Sequence, residues 1–256
     1  MDTIKMAIKN AEKKRDMIYH SFPMYMTRAV LAGVYIGFGI MVSYRLGEGY
    51  FDVHSPATYL MSSIFFGIAL VLILYSGGEL FTSNTMIFSM STWKKATTFK
   101  ELLVNWTACY SGNLLGAIFF AALIALSGLF GEPEKSQYLM YSASLKMNAP
   151  TLQLFVRAIL CNWLVCLAVW VPYYIKGDGA KIGVTLLVVF AFVASGFEHS
   201  IANMVLFSIG LFVEHPETVS LNGAIHNLIP VTIGNIIGGG FFVGSVYAYL
   251  SSKEKQ

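Results

Sequence analysis

The stretch Ser195-Gly196-Phe197-Glu198-His199-Ser200-Ile201-Ala202-Asn203 lies inside a long apolar run. Its frame, S-G-x-E-x4-N, occurs a second time as Ser76-Gly77-Gly78-Glu79, closed by Asn84. A carboxylate within a membrane-length segment is costly, so each copy marks a functional-site candidate. Two such interruptions at matching places in two halves are the sequence sign of a transporter built from repeats with broken helices.

The surrounding chain supports a membrane reading. Charged residues make up 12% of the sequence and the hydrophobic set 56%, with a mean hydropathy of +0.63; a soluble domain carries about 25% charge. Leu102 to Gly131 and Ala158 to Ile175 contain no charge at all. Runs of roughly 17–25 apolar residues cross the hydrocarbon core as helices. Six spans are expected on that basis, at about 24–44, 58–91 with a break near 77–85, 102–130, 151–175, 182–213 with a break near 195–203, and 224–250. A soluble fold would need several fully apolar helices in one small core.

Basic residues set the expected orientation. They concentrate in the N-terminal segment (Lys5, Lys9, Lys13, Lys14, Arg15), after span two (Lys94, Lys95, Lys100), after span four (Lys176, Lys181) and in the tail (Lys253, Lys255). The other loops hold only Arg45, Lys135 and Lys146. Both termini are therefore expected in the cytoplasm. The net charge of +3 reflects this bias, and no nucleic-acid patch is visible in it. No cleavable signal peptide is visible. Ile4, Ile8, Ala11 and Ile18 recur at near-helical spacing, so residues 1–22 read either as an amphipathic helix on the membrane interface or as a solvated terminus. Cys109, Cys161 and Cys166 fall within spans at no metal spacing and read as small buried apolar residues.

The halves repeat. Arg28-Ala29-Val30-Leu31 matches Arg157-Ala158-Ile159-Leu160, the two S-G-x-E-x4-N frames match, and Gly112-Asn113-Leu114-Leu115-Gly116 matches Gly234-Asn235-Ile236-Ile237-Gly238. Three matches in the same order indicate duplication. Each half holds three spans, and an odd number reverses the chain's direction, so residues 24–131 and 147–250 form inverted repeats within a single transporter domain, 1–256. The Gly-x-x-x-Gly pairs at Gly33/Gly37, Gly112/Gly116, Gly234/Gly238 and Gly240/Gly244 allow close helix packing.

A helix broken in the membrane exposes backbone N–H groups that suit an anion. Irregular backbone is tolerated there only when buried in protein or lining an aqueous cavity. Gly77, Gly78 and Gly196 let the chain turn. Asn84 and Asn203 are expected to satisfy freed backbone groups. Glu79 and Glu198 are expected to brace loop N–H groups or those asparagines, since a lone carboxylate repels an anion. His199 breaks the symmetry, because Leu80 holds the matching position. An imidazole that exchanges a proton as an anion passes couples occupancy to proton transfer. Even the lower estimates for a bare charge at the bilayer centre are about 2.5–3.5 kcal/mol, a cost that a protonated substrate largely escapes. His20, His54, His215 and His226 fall near span ends or loops and read as interfacial or solvent-facing.

The segments Gly78 to Ser83, Cys161-Asn162-Trp163-Leu164-Val165-Cys166-Leu167, Ser195 to Met204, and Asn227-Leu228-Ile229-Pro230-Val231-Thr232-Ile233-Gly234-Asn235 resemble the formate/nitrite transporter family over nearly the whole chain. The resemblance implies an all-α, aquaporin-like protomer of six transmembrane helices with helices 2 and 5 broken, assembled as a homopentamer with one pore per protomer. It implies residence in a prokaryotic cell membrane. His199 matches the family's central pore histidine and Thr82 the threonine that faces it. Phe66 and Phe192 match an outer aromatic constriction; Leu70, Leu80 and Val165 match an apolar inner one. Lys146 and Asn162 match a polar pair on the outer approach. Read from the residues alone, Lys146 is equally an ordinary loop lysine. The substrates implied are small monovalent anions of weak acids, together with protons. The short connection between spans five and six and the C-N-W-L-V-C-L-A-V-W run look closer to the nitrite branch, which ranks nitrite first and formate second.

Two other classes are weighed. A neutral-solute channel of the aquaporin kind would carry paired N-P-A motifs, which are absent, and two apolar constrictions suit water poorly. A membrane enzyme using Glu198 and His199 would need a nucleophile motif, a cofactor loop or a metal-ligand set, and none is present. No cofactor is therefore expected.

Overall fold

The computed structural model describes residues 3–253, which leaves Lys255 of the basic tail outside the described residues. Among these residues every regular element is helical. Helix α1 (Thr3–His20) carries a stripe of Ile4, Ala7, Ala11, Lys14, Met17 and Ile18 at helical spacing. That stripe is buried against the helices Phe81–Trp93 and Phe22–Phe51. The amphipathic helix expected for this segment is present, and its apolar face is covered by protein.

Helix α2 (Phe22–Phe51) opens with Pro23 in its first turn, where a missing N–H costs nothing. It outruns the expected 24–44, continuing through Arg45 and Glu48 to Phe51. The second span is interrupted twice. Helix α3 (Thr58–Ile64) gives way at Phe65–Gly67 to α4 (Ile68–Ser76), and α5 (Phe81–Trp93) follows the break at Gly77–Leu80. The break is shorter than the expected 77–85, so Thr82 and Asn84 lie in the first turn of α5. Helix α6 (Phe99–Leu126) starts at a capping box in which Thr98 and Glu101 bond each other's backbone N–H. It stops short of 130 because Gly128, at φ 71°, follows its end.

Lys146 lies in the last turn of a helix, α7 (Gln137–Met147), where a loop was expected. Helix α8 (Thr151–Trp170) ends in a 3-10 turn at Val171–Tyr174, which contains Pro172. Helix α9 (Asp178–Ala194) and α10 (Ser200–Phe212) flank the second break. Helix α11 (Leu221–Ile236) runs through a π-helical stretch, Ile237–Ser245, into α12 (Val246–Lys253). Among the described residues, five helical runs are long and apolar enough to cross a membrane: Phe22–Phe51, Thr58–Ser76, Phe99–Leu126, Thr151–Tyr174 and Leu221–Lys253. The remaining expected span is split by its break into helices of 17 and 13 residues.

The two halves pack alike: α2 lies on α6, and α8 on α11. A Cβ added at Gly116 would land on the carbonyl oxygen of Val30, and one added at Gly238 on that of Ile159. These are equivalent residues of the two repeats. Between helices in lipid, van der Waals packing and hydrogen bonds replace the hydrophobic effect as the driving force, and small residues permit the approach.

Candidate functional site

Each break is clamped by an asparagine from the third span of its own half. Asn113 accepts a hydrogen bond from the N–H of Phe81 at 2.9 Å and donates to the carbonyls of Ala29 and Glu79, both at 2.8 Å. Asn235 accepts from the N–H of Ser200 at 2.9 Å and donates to Ala158 at 2.8 Å and Glu198 at 3.0 Å. The N–H of Glu79 donates to Arg28 O, and that of Glu198 to Arg157 O. Gly77 (φ 75°) and Gly196 (φ 71°) supply the left-handed residue that turns the chain out of the preceding helix.

The expected capping role of Asn84 and Asn203 is thus filled by Asn113 and Asn235. Instead, Asn84 donates to the Glu79 carboxylate at 3.1 Å, and Asn203 to that of Glu198 at 2.6 Å. Each is flanked by another asparagine: Asn105 shares the Tyr25 hydroxyl with Asn84, and Asn227 accepts from Asn203 at 2.8 Å. Each carboxylate also holds a lysine. Lys14 of α1 pairs with Glu79, and Lys146 of α7 pairs with Glu198 at 2.8 Å. Both carboxylates are buried, so each needs its cation.

His199 is the N-cap of α10: its Nδ1 accepts from the N–H of Ala202 at 3.1 Å. A backbone N–H can only donate, so Nδ1 of the capped ring is unprotonated and the ring proton sits on Nε2. Nε2 faces Thr82 Oγ1 at 3.1 Å, across the two breaks. Leu80, the N-cap residue of α5, has no side-chain acceptor for this task.

A cavity of about 280 Å³ reaches His199 from the α7 side, passing Lys146, Phe66 and Phe192. The two phenylalanine rings meet edge-on with centroids 6.0 Å apart, and Phe192 stacks on the imidazole. A second cavity of about 200 Å³ opens beside α1 and ends at Glu79, Ser83, Ile73 and Val169. Leu70, Leu80, Val165 and Thr82 are buried and line neither cavity. Leu70 lies one turn from Phe66 at the first cavity and just before Ile73 at the second. Val165 lies one turn from Val169. His199 lines the first cavity, and its hydrogen bond to Thr82 leads from that cavity into the buried interior.

Of the polar pair expected on the outer approach, Lys146 lines the first cavity and Asn162 does not. Asn162 is fully buried and donates to Thr82 O at 3.2 Å, Thr85 Oγ1 at 3.0 Å and Asn235 O at 2.6 Å. It ties α8 to α5 and α11, where Gly239 brings the π-helical backbone against it, and it does not line the cavity that holds Lys146. The sequence reading missed Lys14, Asn105 and Asn227. The asparagines were visible as a pair, since each lies eight residues before the clamp asparagine of its half. Among the described residues no three His, Cys, Asp or Glu side chains converge as a metal-binding group.

Comparison with known proteins agrees with this geometry. The family model described as Formate/nitrite transporter matches residues 1–249. The chain is 45% identical over 244 residues to the "Uncharacterized transporter YwcJ" of Bacillus subtilis (strain 168), covering 95% of each. It is 35% identical over 256 residues to the nitrite transporter NirC of Escherichia coli (strain K12), covering all of this chain and 94% of that one. Among solved structures, a protein titled "FNT family ion channel" superposes with a TM-score of 0.92 at 34% identity, over 97% of this chain and 98% of that one. A "Pentameric formate channel with formate bound" gives 0.74 at 33% identity, over 90% and 97%. An all-helical bundle with two clamped breaks, matched along nearly its full length by these transporters, has one reading: this chain belongs to the formate/nitrite transporter family.

Proposed function

We propose that this transporter conducts small monovalent anions of weak acids, nitrite ahead of formate, as a homopentamer with one pore in each protomer. The pore runs between the two inverted halves, residues 24–131 and 147–250. It leads from the first cavity past Phe66 and Phe192, across His199 and Thr82, and past Leu70, Leu80 and Val165 to the second. The observation that carries this reading is the hydrogen bond between His199, which lines the first cavity, and the buried Thr82; we read Leu70, Leu80 and Val165 as the apolar plug beyond it. An unprotonated anion entering that plug would lose hydration with few compensating partners. The substrate crosses it as the neutral acid.

The ring geometry defines how a proton can be delivered. Nε2 gives its proton to the anion while Nδ1 takes one from a hydronium ion in the first cavity, which His199 lines, so the ring stays neutral and changes tautomer. Nδ1 is occupied by the N–H of Ala202, so the first turn of α10 must release the ring before transfer. Between transfers the Nε2–H and the Thr82 hydroxyl hold the substrate in line. The first cavity faces outward and α1 faces the cytoplasm, in keeping with the alternation of basic segments.

Uptake of labelled nitrite and formate into proteoliposomes, with and without a proton gradient, tests the reading. Nitrite and formate should enter and accumulate with an inward proton gradient. Vesicles that pass water or glycerol but neither anion would overturn it.

A further inference from the structure

The two lysines nearest the path do not supply free positive charge. Lys146 is neutralised by Glu198 and Lys14 by Glu79. The charge left at the cavity mouths belongs to other residues. Arg157 lines the first cavity beside Gly196, and Arg28 lines the second beside Gly77. They are equivalent residues, each opening the R-A-[VI]-L repeat of its half. Their backbone carbonyls accept from the N–H of Glu198 and Glu79. Each arginine is thus tied by its own main chain to the break it adjoins. A Cβ at Gly77 would lie 3.6 Å from Arg28 Nη1.

Neither guanidinium is in an ion pair among the described residues. The Arg157 side chain donates to the neutral Gln153 Oε1 at 3.2 Å. Among the described residues, Glu198 and Glu79 are the only carboxylates lining the two cavities, and both are already paired. Arg157 is therefore the uncompensated cation of the first cavity. The second holds Arg28 together with Lys13.

We propose that Arg157 and Arg28 are the anion-capture residues of the two cavities, each presenting its planar fork to a two-oxygen anion. This rests on the reading of the chain as a weak-acid anion channel and names the residues that load it from each side. Two parallel N–H donors match the two oxygens of nitrite or formate, which a point-like ammonium does not. A cation in a concave, low-dielectric mouth raises local anion concentration. Arg157 is exposed and Arg28 half-buried, so the anion is bound weakly enough to move on, as conduction requires. An interfacial arginine that only anchors the span to lipid headgroups is the competing outcome.

The test uses the full-length protein in proteoliposomes of determined orientation, with nitrite and formate added to one side at a time. Equilibrium binding of both anions to the detergent-solubilised protein is measured in parallel. Arg157→Gln should raise the half-saturating nitrite concentration roughly five-fold or more for entry through the first cavity only. Arg28→Gln should do so for entry through the second, by a smaller factor because Lys13 remains. Both effects should shrink at high ionic strength. Arg157→Lys should recover only part of the loss. Half-saturation unchanged in both variants, or raised equally from both sides, overturns the proposal and leaves the channel reading intact. Wild type that binds the anions without conducting them, with binding weakened in the Gln variants, overturns the channel reading and upholds capture. Wild type that neither binds nor conducts overturns both.

Discussion

Asn113 and Asn235 make the same three hydrogen bonds to corresponding groups in the two halves of the protein. Each accepts from the first N–H of the second half-helix and donates to two carbonyls, one in the loop and one in the first span. Replacing either by Leu strands three buried backbone groups. At about 1 kcal/mol per lost hydrogen bond, the cost should be about 2–4 kcal/mol. Thermal unfolding of the detergent-solubilised protein measures it. Either variant melting with wild type would show that the breaks hold themselves open.

The Lys14–Glu79 pair is almost fully buried, with side chains 8% and 5% exposed. Lys14→Met leaves Glu79 charged and unpaired, at a cost of about 3–5 kcal/mol. Lys14→Met/Glu79→Gln should recover most of that, since Asn84 can still bond the glutamine. Denaturation of both variants gives the comparison, and a double variant no more stable than the single contradicts the charge-compensation account.

Lys146 is a quarter exposed and is paired with Glu198. Lys146→Ala should lower nitrite uptake, because it leaves a bare carboxylate facing an incoming anion. Lys146→Ala/Glu198→Gln removes both charges and should restore more than half of the wild-type rate at low salt. A double variant as slow as the single would mean that the ammonium itself attracts the substrate.

His199→Asn keeps an N-cap acceptor for the N–H of Ala202 but cannot relay a proton. Wild-type uptake should rise as pH falls, because protonation is what carries the anion through the plug. The Asn variant should fold and assemble normally and lose that rise. His199→Ala should lose the cap as well, at about 1 kcal/mol of stability. Wild-type rate and pH profile in His199→Asn would reduce the ring to pore lining.

Orientation is best read at Lys135, whose side chain is 53% exposed in the turn before α7. Lys135→Cys should react with a membrane-impermeant thiol reagent in intact cells, and Trp93→Cys, at the last residue of α5 and 53% exposed, only after permeabilisation. The opposite pattern would invert the topology.

The sequence alone determined the membrane class, the duplication, the two breaks and the identity of the ring between them. Those features are local or periodic. Charge-free runs set spans, a glycine beside a buried carboxylate sets a break, and a histidine opposite a leucine sets the asymmetry. Tertiary structure decided which groups satisfy one another. Asn84 and Asn203 lie nearer in sequence to the breaks than Asn113 and Asn235, yet as residues of the first helical turn their amides point at Glu79 and Glu198. The third span alone places an amide where it reaches loop N–H and carbonyl together. Lys14 pairs with Glu79 across 65 residues, and no spacing rule connects them. The amphipathic stripe of α1 could not announce whether lipid, water or protein would cover it, because burial of an apolar face is equally favourable against any dry surface. Asn162 matched a motif but lies where α5, α8 and α11 converge, since the close approach allowed by Gly238 and Gly239 occurs only once the spans are packed.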